Sequence, residues 1–254
     1  MKSPSVKTKT KAARGAGVRH APQTSEAERK VLEWAESPLS GEERLADRAL
    51  RLLEEQIVTL QLPPGSIWSE AALSARIKIG RTPVREALQR LAADLLVVIM
   101  RRHGIMISQI NIQNQLFVLE TRRQLEGMIA SRAARRATPE EREKLLVIAD
   151  AMSAAGKRGD VIDYLRYYFF SKKLLREACR NPYAARSINT LHSLSRRFYF
   201  TYHKQFGDLS VVADLHAEQA RAAARGDEKG ALEASDRILA HAEAFTKRTV
   251  TNSF

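Results

Sequence analysis

Residues 62–94, LPPGSIWSEAALSARIKIGRTPVREALQRLAAD, constrain the fold more than any other part of the chain. Pro63, Pro64 and Gly65 end any helix that reaches them. Ser69 then opens a short helix through EAALSARI, and Lys78 to Gly80 close it. Thr82 followed by Pro83 reads as an N-cap and a first-turn proline, which predicts a second helix two residues later. In that helix Val84, Leu88 and Leu91 fall at i, i+4 and i+7 with Ala87 beside them, one buried stripe that Leu73 and Ile77 can face. Upstream, ERLADRALRLLEEQIVTL carries Leu45, Ala49, Leu52, Leu53, Ile57 and Leu60 at helical spacing. Helix, short helix, tight turn, helix is a helix-turn-helix layout.

After Ala93 the pattern changes to LLVVIM, RRHG and IMISQI. Two apolar, β-branched runs around a basic turn predict a hairpin, which in this position is a wing. The second helix then turns Thr82, Arg85 and Gln89 outward on one face, with Arg81 at its mouth and Ser69 opening the helix before it. An arginine can fork onto O6 and N7 of guanine, and a glutamine can bracket an adenine edge. Ser69, Arg81 and Thr82 suit phosphate oxygens. In the wing, Arg101, Arg102 and His103 reach a neighbouring phosphate or the minor groove, and Gly104 lets the backbone approach. These residues are the expected DNA contacts.

A net charge of +13 over 254 residues asks for a polyanionic partner, and nucleic acid fits it best. Residues 1–40 are expected to form a disordered basic tail; its first 25 residues contain six lysines and arginines and no acid. Cys179 is the single cysteine, so an intramolecular disulfide is excluded, and it reads as a small buried apolar residue. No apolar run is long enough to span a membrane and no secretory leader is visible, so the cytoplasm and no membrane partner are expected. Neither a P-loop, a dinucleotide-binding glycine motif, a set of paired metal ligands nor a nucleophile elbow is present, so the chain is not expected to be an enzyme.

From residue 113 onward the chain reads as helix throughout: 113–135, 138–156, 160–179, 183–204, 210–225 and 228–248, separated by short breakers such as GKRGD and RNP. Rows such as Leu125, Met128 and Ile129, and Leu145, Ile148 and Met152, supply core faces. The expected fold is mainly α: a winged helix-turn-helix over 41–110, then an all-α antiparallel six-helix bundle over 113–250.

The 62–94 stretch is similar to the DNA-binding domain of the GntR family of bacterial transcription regulators: a proline-glycine turn, a serine-glutamate pair, a short helix and the run R-T-P-V-R-E-A-L. VLETRRQLEGMIASRAARRAT, REACRNPY and LHAEQARAAARGDEKGALEA resemble the all-helical effector domain of the FadR subgroup. The resemblance implies a homodimer that binds a short inverted repeat in double-stranded DNA and responds to a small metabolite, here expected to act as a repressor. A low-specificity architectural protein with a non-sensing dimerisation domain is the alternative.

Two departures stand out. The glycine that commonly follows the second helix is replaced by Leu95, so Asp94 is expected to take the left-handed turn. Many subgroup members also hold a divalent metal with one aspartate and three histidines. The matching positions here are Tyr168, Lys172, His216 and Ile238, and a protonated ammonium has no lone pair to give. No metal or other cofactor is therefore expected. In its place Arg122, Tyr168, Lys172 and His216 are expected to bind an effector carboxylate directly. The competing expectation is a filled pocket with Lys172 running out to solvent.

Overall fold

A computed structural model of the chain describes residues 44–251, so the expected basic tail lies outside the described residues. The chain forms α1 (Leu45–Val58), β1 (Ile67–Trp68), α2 (Glu70–Ile77), α3 (Arg81–Ala93), β2 (Val97–Met100) and β3 (Gly104–Ile107). Six helices follow: α4 (Ile112–Arg136), α5 (Pro139–Arg158), α6 (Val161–Ala178), α7 (Pro182–Phe206), α8 (Leu209–Ala224) and α9 (Glu228–Thr251).

The N-terminal core collects the apolar stripes of three helices and the sheet. Leu53, Leu73, Val84, Leu88, Leu91, Leu96 and Ile107 are all fully buried in it. Each contributes roughly 1.5–3 kcal/mol of burial as an upper estimate. The Pro63–Gly65 break does end helix, but it also feeds a strand. Ile67 and Trp68 pair antiparallel with Met106 and Ile105, so the wing is a three-stranded sheet in the order β1, β3, β2. Gly104 has φ +97, and a Cβ there would lie 2.6 Å from the Trp68 carbonyl oxygen. Its glycine is demanded by the close approach of β1, inside the protein.

Two local expectations are corrected. The N-cap of α3 is Gly80, with no side-chain cap, and the Val84 N–H closes the first turn on the Gly80 carbonyl. Thr82 and Pro83 are already helical. Pro83 still costs nothing, because no first-turn N–H has an intrahelical partner. After α3 it is Leu95, not Asp94, that takes the left-handed conformation (φ +61), while Asp94 sits at φ −85. Asp94 is held elsewhere: Thr190 donates to one of its oxygens and Asn189 to the other at 3.4 Å, both from α7.

Strong end signals explain the helical domain. α5 has a complete capping box, with Thr138 and Glu141 serving each other's backbone N–H groups, and a left-handed Gly159 at its end. Asn111, Asp160, Asn181 and Asp208 cap α4, α6, α7 and α8 by side-chain acceptance. α5 and α8 approach closely because their facing residues are small: Ala149, Ala155, Ala213, Ala217 and Ala220 are buried, and a Cβ on Gly156 would lie 2.5 Å from that of Ala213. Leu145, Ile148 and Met152 are core as expected, whereas Met128 is turned outward at 38% exposure.

Polar contacts bind the two halves. Glu54 on α1 accepts from Ser193 (2.7 Å) and Arg196 (2.9 Å) on α7, and Glu55 accepts from Arg166 (2.8 Å) on α6. Arg197 donates to the Ser108 carbonyl at 2.5 Å, beside the short link between β3 and α4.

Candidate nucleic-acid interface and buried effector cavity

The outward face of α3 is as polar as its spacing requires. Arg81, Thr82, Arg85 and Gln89 are all exposed, while Val84, Ala87, Leu88 and Leu91 are buried beneath them. Arg85 is paired with Glu70 in the first turn of α2, at 2.8 Å from Nη2 and 3.1 Å from Nε. The pair holds the Glu70 carboxyl below its ordinary range, chiefly through the hydrogen bond from Arg85. With Arg85 at 62% exposure, water screens the pair, and it is worth little to stability. Its effect is positional: it keeps the guanidinium extended along the mouth of the helix-turn-helix. Glu70 was not foreseen from the sequence, though the serine-glutamate pair of the motif contains it.

Ser69 caps α2 by accepting the Ala72 N–H at 3.0 Å, which leaves its hydroxyl hydrogen to donate outward. At the wing tip Arg101, Arg102 and His103 are exposed, and Arg102 takes φ +63 in the turn. The α3 face and the wing tip thus supply cationic and hydrogen-bonding side chains whose backbones rest on a packed core.

The second site lies inside the helical domain. A cavity of about 50 Å³ is bounded by Arg122 of α4, Tyr168 of α6, Arg196 of α7, His216 of α8, and Ile238 and His241 of α9. Three of the four residues expected to bind an effector therefore converge on one cavity. Lys172 does not line it. It is 2% exposed, so it does not run out to solvent either.

Lys172 lies behind the wall, in a network centred on Glu126, a residue that sequence reasoning missed. Its ammonium donates to one Glu126 oxygen and, at 2.6 Å, to Gln219. The other Glu126 oxygen accepts from Arg122 (3.0 Å) and His192 (2.9 Å). Arg176 lies 3.1 Å from Nδ1 of His192. A guanidinium can only donate, so Nδ1 accepts and the Nε2–H donates to Glu126, which fixes the neutral imidazole. Burial pushes His192 down to about 3 and His216 well below its ordinary value. It lowers Lys172 to about 8, the loss being limited by the Glu126 charge, so the ammonium persists at neutral pH. Glu126 itself lies well below the carboxylate range: burial opposes this, and the charges of Lys172 and Arg122, with the hydrogen bond from His192, overcome it.

This arrangement does not fit a divalent metal. The Lys172 ammonium is occupied as a donor, Ile238 offers no lone pair, and the described residues contain no group of three histidine, cysteine, aspartate or glutamate side chains able to hold an ion. The cavity does offer hydrogen-bonding atoms without protein partners: the Tyr168 and Tyr199 hydroxyls, His216 Nδ1, His241 Nε2 and Arg196 Nε. Buried polar atoms of this kind need water or a ligand.

The fold and the comparisons together define a class: a winged helix-turn-helix DNA-binding regulator with an all-helical C-terminal domain. Residues 45–107 match the profile described as bacterial regulatory proteins, gntR family, and residues 118–241 match the FCD domain. An HTH-type transcriptional regulator from the TAR-I ttuE-ttuC' intergenic region of Agrobacterium vitis is 34% identical over 116 residues, covering 44% of this chain and 68% of that protein. The HTH-type transcriptional repressor GlaR of Escherichia coli K12 is 27% identical over 158 residues, covering 60% of this chain and 71% of that protein. A solved structure of E. coli McbR/YncC shares the fold, with a TM-score of 0.69 at 17% identity over 82% of this chain and 100% of that one. The chain belongs to the GntR family of transcriptional regulators, with an FCD effector domain. It is a DNA-binding regulator and not an enzyme, and none of its described helices is long and apolar enough to cross a membrane.

Proposed function

We propose that the chain is a homodimeric, cytoplasmic repressor whose hold on a short inverted repeat is weakened by a small carboxylate in the helical-domain cavity. Arg85 and Gln89 read base edges; Ser69, Arg81 and Thr82 engage phosphates; Arg101, Arg102 and His103, presented beyond Gly104, reach the flanking groove. Arg122, Tyr168 and His216 contact the effector. Lys172 acts through Glu126, holding the carboxylate that aims Arg122. The observation that carries the sensory reading is the buried cavity with two guanidinium groups in its wall and unpartnered hydroxyl and imidazole atoms around it.

The test is fluorescence anisotropy on DNA from upstream of the chain's own gene and on a shuffled duplex, at two salt concentrations. The native duplex is expected to bind about a thousandfold more tightly, and Arg85→Ala to lose about 1–3 kcal/mol on that duplex alone. Equal binding to both duplexes, with Arg85→Ala lowering only the salt slope, would favour the architectural alternative. Calorimetric titration with a panel of organic acids tests the sensory part: binding that Arg122→Gln abolishes supports it, and no binding by any acid sinks it.

A further inference from the structure

Arg81 and Arg85 near the start of α3 and Arg101 and Arg102 at the wing tip are all exposed. Of these, Arg85 alone has an acid within salt-bridge distance among the described residues. The others turn an uncancelled charge outward, which is what a phosphate contact uses. The side chain best placed to read a base is the one whose charge is cancelled.

The pairing also divides the guanidinium. Glu70 takes its side edge: one carboxylate oxygen accepts from Nη2 at 2.8 Å and from Nε at 3.1 Å, and the other lies 3.3 Å from Nε. Nη1 has no partner among the described residues. A guanidinium carries five N–H donors in one plane. With the side edge closed, the end-on pair of donors on Nη1 and Nη2 stays open, and two parallel donors are what O6 and N7 of a guanine accept.

We infer that Glu70 is a specificity-determining residue: it turns the end-on edge of Arg85 toward a guanine and, by cancelling the guanidinium charge, keeps Arg85 from holding the phosphates of any other sequence. The inference rests on the base reading by Arg85 proposed above and deepens it.

The backbone places Glu70 for this task. Ser69 caps α2 and sets Glu70 in its first turn, where the helix N-terminus favours a carboxylate. The carboxyl is held below its ordinary range, chiefly by the hydrogen bond from Arg85 and against the effect of burial, so it is ionised at neutral pH. Away from the right sequence, a carboxylate on the reading face is repelled by the DNA backbone, and a neutral pair releases no counterion. On the right sequence the two directed hydrogen bonds remain. A contact that favours one sequence and gives nothing to the rest creates specificity by weakening the wrong complexes.

Fluorescence anisotropy of Glu70→Gln on the native and shuffled duplexes, over a series of salt concentrations, tests this. The amide keeps the length of the side chain and removes its charge. The shuffled duplex is expected to bind about threefold more tightly at low salt, with a salt slope steeper by about 0.9, the value of one added phosphate contact. The native duplex should not tighten, so the preference for it falls. Equal tightening on both duplexes is an effect of net charge alone and overturns the inference, as does no change on either. In an Arg85→Ala background the same substitution should leave the slope unchanged. A slope that still steepens there shows Glu70 acting without Arg85 and also overturns the inference. A wild type that binds both duplexes alike defeats the base reading, and the inference with it. A wild type that prefers the native duplex, loses that preference with Arg85→Ala and keeps it in full with Glu70→Gln leaves the reading intact and overturns the inference alone.

Discussion

Glu126 shows how much of this molecule hangs on single side chains. It is 3% exposed and is the common acceptor of Arg122, Lys172 and His192, whose partners lie up to 66 residues away in sequence. Glu126→Gln keeps the shape and removes the charge, leaving two buried cations without a counter-ion. The expected loss is about 3–5 kcal/mol, read as a shifted denaturant midpoint. The histidines give a pH signature. His192 titrates near 3 in the folded protein and His216 well below 6.5, whereas both titrate near 6.5 when unfolded. Below about pH 6.5 the unfolded chain therefore binds more protons. Stability is full above that pH and falls as the solution is acidified, by about 1.4 kcal/mol per pH unit for each histidine. Partly buried His241 adds in the same direction. Thermal midpoints that drop between pH 6.5 and 5, where most carboxylates are still charged, check this; a flat profile there refutes it. None of this network was legible from spacing except the Arg122–Glu126 pair, which stands at i, i+4 on one helix.

At the level of the element, the helices were legible because their ends carry strong local chemistry. The expected span 138–156 became Pro139–Arg158, and 183–204 became Pro182–Phe206, each anchored by a capping side chain and a proline. β1 was not legible. Two residues show no alternation, and the strand exists only because the wing offers it an edge. The junction at Leu95 failed for a different reason. Asp94 has the better intrinsic tolerance of a left-handed backbone, but α7 engages its carboxylate, and the strain passes to its neighbour. Leu95 pays about 1–2 kcal/mol for that conformation. Its side chain is 63% exposed, so little burial is lost on truncation. Leu95→Gly is accordingly expected to raise stability by up to about 1 kcal/mol, partly offset by glycine's greater unfolded-state entropy, and a differential scanning measurement would show it.

For the whole molecule, the order of winged helix-turn-helix and helical segments and the exposed polar face of α3 were present in the sequence, because periodicity and turn chemistry are local. The contacts that join the domains were not, since Glu54, Glu55 and Asp94 look like ordinary helix-surface acids until α6 and α7 are set against them. One of these joints reaches further than stability. α3, whose first residues Arg81 and Thr82 are exposed, is grasped at its far end by Thr190 and Asn189. Thirteen residues make it a rod of about 20 Å. A tilt of about 10° imposed at the grasped end would sweep the other end by about 3.4 Å, the axial rise between neighbouring base pairs. A rearrangement among the helices of the C-terminal domain too slight to alter their packing could thus displace the exposed first turn of α3 by the height of one base-pair step.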